Sequence, residues 1–499
     1  MARITGVAVT ATCLAMIGSA GFADVTAQDV WDNVQDLYRG MGFEVSARSV
    51  TPTEKGLTVS GITLARDNNV TDEVKTSNSF TVPQIEFIEI GDGRVRVDVS
   101  DQIKGVGKTV GGDGKDLVSS TTEFDLTGDD IVASGDPKNV HYQMGLEALT
   151  LGMRQTVHQP EADFPTDLTF GLTGVKGDYT VDLREGSQQT GSYHIDSASL
   201  NGKGTDPAGG SFTVSGGAQQ IDSKMATAIP AGVKLEAVGA YGAPGVSSQL
   251  DSTTGPIKLD LETQSEDGDA KIHFAADHGS QTVSMMDGTA RYHAVGDAIK
   301  MDVLAPNMPF EASFGLDHAE GGLSFPTTKG AALKPFGVDL ALKGVTLDDQ
   351  IWRMLDPQGK LPHDPAQLEL KLSGHAKVNQ DLFDENFGQL PVSPGELRDL
   401  NLDLLHLNAV GLDLTGNGAV TFDGGSAMPW PVGKVHLALS GAKGLMGKLT
   451  EMGLLPQDQA MFAQMILGLY ARSTGDDAME TDLEFTQDGH ILANGQTIQ

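Results

Sequence analysis

The side chains in this 499-residue sequence that could do chemistry are its carboxylates and histidines. Adjacent acidic pairs recur, as at Asp129-Asp130, Asp348-Asp349 and Asp476-Asp477, and paired carboxylates are what general acid–base and glycosyl-transfer chemistry require. With Asp+Glu 67 against Lys+Arg 34, however, composition alone generates such pairs, and adjacency without a shared pocket is no catalytic signature. The 12 histidines are scattered. The tightest pair, His273 and His278 around Asp277, straddles the end of a strand and a turn, and reads as surface side chains rather than metal ligands. No serine stands in a G-x-S-x-G elbow and no H-E-x-x-H occurs. Gly107-Lys108-Thr109 has the end of a phosphate-binding loop, but Gln102 stands where its leading glycine belongs. Gly111 to Val118 fits one calcium nonapeptide repeat, a geometry that works only in stacked copies, so it reads as a solvated acidic loop.

Catalytic, cofactor-binding and metal-binding residues are therefore expected to be none. The one cysteine, Cys13, lies in an N-terminal stretch that reads as a secretory signal: Arg3 supplies the positive region, Ile4 to Ile17 the apolar region, and Gly21-Phe22-Ala23 the small-residue end. Cleavage after Ala23 would start the mature chain at Asp24, without a thiol and so without disulfides or thiolate metal sites. An uncleaved anchor is the alternative, but the apolar run falls short of the ~20 residues a spanning helix needs. The lipobox pattern is also missing before Cys13, where Thr10-Ala11-Thr12 stand. The expected location is the periplasm or the exterior. Removing Arg3 with the signal takes the net charge from −33 to −34, a field that repels nucleic acid and anionic membrane surfaces.

The elements that must position any site are mostly strands. Ile85-Glu86-Phe87-Ile88-Glu89-Ile90 turns at Gly91-Asp92-Gly93 into Val95-Arg96-Val97-Asp98-Val99, a hairpin with one apolar and one polar face. The same alternation recurs at Leu168 to Leu172, Ile257 to Leu261, Val338 to Leu342 and Leu368 to Leu372. With 62 glycines and few long helical patterns, the expected fold is mainly β: extended, curved antiparallel sheets with a few short helices. Residues 24–335 read as a β-rich N-terminal and middle region, and residues 336–499 as a β-rich region with helices. Helices are expected at Thr26 to Arg39, Gln219 to Ala228, Asp348 to Leu355, Leu445 to Met452 and Gln457 to Arg472. No apolar run after the signal reaches membrane-spanning length.

The scarce large side chains complete the reading. Trp31 and Trp352 read as packing residues, while Trp430, between Pro429 and Pro431, sits in a loop. Met461, Met465, Ile466, Leu469 and Tyr470 form a stripe that reads as a core-facing helix face. The competing expectation is that Met461, Met465, Leu469 and Trp352 line an apolar ligand, since methionine and leucine adapt to acyl chains of varied shape.

Thr346-Leu347-Asp348 through Trp352, Asp356-Pro357, Leu361-Pro362 and Asp364-Pro365-Ala366 resemble a strip found in uncharacterised exported alphaproteobacterial proteins, the domain-of-unknown-function family 2125. Gly453-Leu454-Leu455-Pro456-Gln457, Leu483-Glu484-Phe485 and Asn494-Gly495-Gln496 resemble its C-terminal block. That resemblance implies no known activity and carries over no catalytic residue. The strands around Leu400 to Phe422 are faintly similar to AsmA-like envelope proteins, whose curved sheets form apolar grooves, so the resemblance implies lipid as a partner. Three function classes follow: an envelope protein binding an apolar ligand or lipid, a structural component contacting other envelope proteins, and a hydrolase with an unrecognised site. An outer-membrane barrel is disfavoured by 6% aromatic residues and the terminal Gln499.

Overall fold

The computed structural model describes residues 24–71, 74–160, 162–205, 209–233, 243–306, 308–382, 393–423 and 429–498; the expected signal, residues 1–23, lies outside them. Strands make up 68% and helices 10%, and all 26 strands join one sheet. Every pairing is antiparallel, and each strand or broken strand pairs with the next along the chain, so the sheet is one long open meander. The strand Lys334–Leu347 runs straight through position 335, and the sheet continues on both sides of it. Strands of 20 residues, such as Asn139–His158 and Gly186–Thr205, extend over roughly 65 Å.

A crease crosses the long strands near their middles. Residues with positive φ mark it: Gly61 (61°), Gly128 (64°), Gly174 (62°), Gln220 (50°), Ala298 (51°) and Gly344 (66°). In other strands the crease is a break, at Gly255-Pro256 and at Asp277, where Pro256 cannot donate to the ladder. Side chains from neighbouring strands fold over the glycines: a Cβ on Gly174 would strike Asp196, and one on Gly344 would strike Asp317. The apolar phase also slips by one residue at the crease, from Leu57 and Val59 to Ile62 and Leu64. The left-handed residue absorbs that slip. Val59 and Ile62, on either side of Gly61, belong to one buried cluster, so the apolar side chains keep to a single face.

Among the described residues four helices accompany the sheet. Helix α1, Ala27–Gly40, starts from a capping box in which Thr26 and Asp29 bond reciprocally. It buries Val30, Trp31 and Asn33 against the first strands, forming the main core with Val59, Phe87, Val95, Val140 and Val181. Helix α2, Asp349–Leu355, is capped by Asp348, which accepts from the N–H groups of Gln350 and Ile351. Helices α3, Ala442–Glu451, and α4, Gln457–Tyr470, form a pair between the strands Pro431–Ser440 and Arg472–Gly475. These four match expected helices. The fifth does not exist: Gln219 to Ala228 lies within the strand Ser211–Pro230. Its residues alternate in burial and pair on one side with Gln188 to Ser197 and on the other with Ser247 to Thr253, so ladder bonds on both edges override any helical preference.

The stripe on α4 also departs from expectation. Met461, Met465 and Leu469 are 59%, 58% and 51% exposed and face away from the core, while the stripe's other two members, Ile466 and Tyr470, are half-buried. Ala460 is buried and Ala463, Leu467 and Tyr470, at helical spacing from it, are half-buried, so they form the packed face. Trp31 is buried, as expected, and Trp430 is 36% exposed with its Nε1–H donating to the Thr486 carbonyl at 2.8 Å.

Candidate functional site

Cross-strand register places the apolar residues of successive strands side by side. One row runs Val95, Ala133, Tyr142, Tyr179, Gly191, Met225, Leu250 and Val283. It continues through Tyr292, Leu323, Val338, Leu372, Leu402, Gly418, Val435 and Leu483. No position in it carries a charge. Across the crease a second row runs Ile103, Phe124, Leu151, Phe170, Leu200, Gly216, Leu259, Phe274, Met301, Phe314 and Leu347. The alternate positions carry Lys, Asp, His, Ser and Thr, as in Asp178, Ser192, Lys224, Asp251 and Thr282. The sheet thus has an apolar face and a polar face.

Among the described residues the apolar face is most fully covered at its beginning. Under α1, Val95 and Ala133 are 0% exposed, and the buried Tyr142 hydroxyl donates to Asn33 Oδ1 at 2.9 Å. Burial raises the Tyr142 hydroxyl well above its ordinary pKa and keeps it a donor. Further along, Leu250, Val283, Tyr292 and Leu323 are 36%, 41%, 47% and 44% exposed, and Phe170 and Leu259 across the crease reach 37% and 38%. Each has apolar neighbours on both adjacent strands, so this residual exposure is the surface that points straight out of the sheet. An exposed apolar band of this length is uncommon on soluble monomers.

The expected lining residues stand on the helices α2 and α4. Trp352 stacks on His363 at 3.9 Å and 12°, and its loop meets α3 through Lys360 and Glu451 at 3.1 Å. Met461, Met465 and Leu469 stand exposed on α4 with Phe462 beside them. The open part of the row, from Leu250 to Leu323, was missed by sequence reasoning. None of its four strands was singled out in the sequence, and their alignment into one row depends on register.

The polar face holds a ladder of histidine–carboxylate contacts. All 12 histidines contact a carboxylate within 4 Å, among them His194 with Asp222 at 2.8 Å, His318 with Asp297 at 2.7 Å and His436 with Asp482 at 2.8 Å. The hydrogen bond that His194 donates to the Asp222 carboxylate raises the His194 pKa above its ordinary value. His273 and His278, the closest pair in sequence, pair separately with Asp260 and Asp297. Among the described residues one group could hold a metal ion, His293, Glu320 and Asp339. A depression of about 530 Å³, lined by Lys176, Asp178, His194, Asp222, Lys224 and Asp251, also opens among charged side chains of this polar face.

Residues 253–494 match the family described as "Uncharacterized protein conserved in bacteria (DUF2125)". The match covers just under half of the chain and supports an uncharacterised family of that kind. The chain matches no curated protein and no solved structure.

Proposed function

We propose that this is an exported envelope protein that holds acyl chains, or another elongated apolar ligand, along the uncovered apolar face of its sheet. The observation that carries this reading is the row Leu250, Val283, Tyr292 and Leu323, four adjacent apolar side chains each more than a third exposed in mid-sheet. A large apolar surface in water favours a cover, and chains of methylene groups supply about 0.8 kcal/mol for each CH₂ buried. The two rows on either side of the crease give such a ligand a direction, across the strands. The faint AsmA-like similarity of the strands around Leu400 points the same way.

Native mass spectrometry of protein gently extracted from its source tests the proposal, with copurifying acyl lipid expected. Protein that carries no lipid and fails to bind a fluorescent fatty acid would overturn it. The second reading, a component that contacts other envelope proteins, is favoured by one observation, the exposed stripe on α4 with Met461, Phe462 and Met465. Export belongs to the same proposal: N-terminal sequencing of the mature protein is expected to begin at Asp24, and recovery of Met1 or Ala2 would exclude cleavage.

A further inference from the structure

We infer that His293, Glu320 and Asp339 form a zinc-type divalent metal site on the polar face of the sheet. The three residues come from three adjacent strands, Thr289–Leu304, Ala312–Pro326 and Lys334–Leu347. In register, His293 stands opposite Gly322 and Gly322 opposite Asp339. The middle position of the row therefore has no side chain, and the carboxylate of Asp339 leans into that space: a Cβ on Gly322 would lie 1.9 Å from Asp339 Oδ2. Glu320, two residues before Gly322 and on the same face, approaches from the diagonal, with Oε1 3.0 Å from His293 Nε2. One ligand atom from each residue lies within 4.8 Å of the others.

A second observation points to a cation. Asp339 Oδ2 is buried and has no hydrogen-bond partner, a costly state for a carboxylate oxygen. Lys371, across from Asp339 on the next strand, is exposed and gives it no hydrogen bond. A divalent ion would satisfy the orphaned oxygen and draw the two carboxylates and the imidazole onto one centre. One imidazole with two carboxylates and no thiolate is a mixed nitrogen and oxygen donor set that suits zinc, with a fourth position left for water. His318 supports the arrangement from behind, its Nε2 3.7 Å from Glu320 Oε2 and its Nδ1 2.7 Å from Asp297 Oδ1, the pattern by which outer carboxylates and imidazoles orient metal ligands.

The test is independent of acyl binding. The full mature chain, stripped with a chelator and dialysed, is titrated with zinc chloride by calorimetry, and cobalt(II) is added separately to read visible absorption. One equivalent of zinc is expected to bind with a micromolar or tighter Kd, with cobalt giving the intense bands of low-coordinate nitrogen and oxygen ligation. His293→Gln and Asp339→Asn, both near-isosteric and checked for folding by circular dichroism, should each weaken zinc about tenfold or more. His436→Gln, which alters another histidine–carboxylate pair of the same face, should leave the affinity unchanged. Absence of saturable binding, or loss equal in all three variants, would overturn the assignment.

Discussion

Replacing Leu323 by aspartate separates an open apolar face from a filled core. Leu323 sits in mid-sheet between Tyr292 and Val338 and is 44% exposed. Full burial of a leucine is worth roughly 1.5–3 kcal/mol, so its present packing contributes a little over half of that, about 1–1.5 kcal/mol. Aspartate forfeits that packing and up to ~1 kcal/mol of strand preference, yet its carboxylate stays in water. Leu323→Asp should therefore cost about 2 kcal/mol. Val140→Asp lies on the same face but under α1, at 0% exposure, where a carboxylate is buried without a partner and should cost more than ~4 kcal/mol. Urea denaturation followed by tryptophan fluorescence compares the two. An acyl chain crossing Leu323 would lose the remaining ~1 kcal/mol of apolar cover and meet a charge it must desolvate, at a cost of at least ~1 kcal/mol more. Affinity for a fluorescent fatty acid should then fall about 30-fold or more. If Leu323→Asp unfolds the protein as Val140→Asp does, the face is covered; if it folds and binds fatty acid like the unaltered protein, the ligand lies elsewhere. Either result would refute the reasoning.

Met465→Lys, at a side chain 58% exposed, should shift stability by less than ~1 kcal/mol, as thermal unfolding would show; a larger loss would mean that the α4 stripe is covered. Asp348→Ala should cost about 1 kcal/mol at neutral pH by uncapping α2. The N–H groups of Ile351, Ser313 and Gln350 lower the Asp348 pKa, so its contribution is present above the unfolded value near 3.9 and is lost as pH falls through the folded value. The gap between Asp348→Ala and the unaltered protein should close in acid, measured by denaturation at pH 7 and pH 3. For His194 the sign reverses: Asp222 raises its pKa, so the ion pair stabilises below the unfolded value near 6.5 and fades as pH rises through the folded value. His194→Gln should differ more from the unaltered protein at pH 6 than at pH 8.5, and a gap that widens with pH would contradict the pairing.

What could be read from the sequence was local. The hairpin from Ile85 to Val99 appears with the expected turn, Ile85 opposite Val99 and Phe87 opposite Val97, because alternation and a Gly-Asp-Gly turn fix it within fifteen residues or so. The cap of α1 was equally plain, since Thr26 and Asp29 are three residues apart. The direction of the α4 stripe was not legible: Gln457 to Tyr470 is apolar on both sides, with Ala460, Ala463 and Leu467 on one and Met461, Met465 and Leu469 on the other, so periodicity leaves the buried side open. Nor was the crease. Gln220 and Ala298 hold positive φ without being glycines, and only their alignment with Gly174 and Gly344 across neighbouring strands gives them meaning. The His293, Glu320 and Asp339 group spans residues far apart in the chain, and scanning for ligands on one element could not find it.

Charge on one face opposes the self-association that the other face invites. An open meander with one apolar face is prone to stack on itself, apolar face to apolar face. Here the polar face carries the histidine–carboxylate ladder and much of the acidic excess behind the net charge of −33, and like-charged sheets approaching each other pay in repulsion that grows as salt falls. That repulsion limits association but does not remove the exposed band from Leu250 to Leu323. On the function proposed above, repulsion between copies and attraction for uncharged apolar matter act on the same surface, and a slender neutral chain of methylene groups is the cover that meets the least opposition.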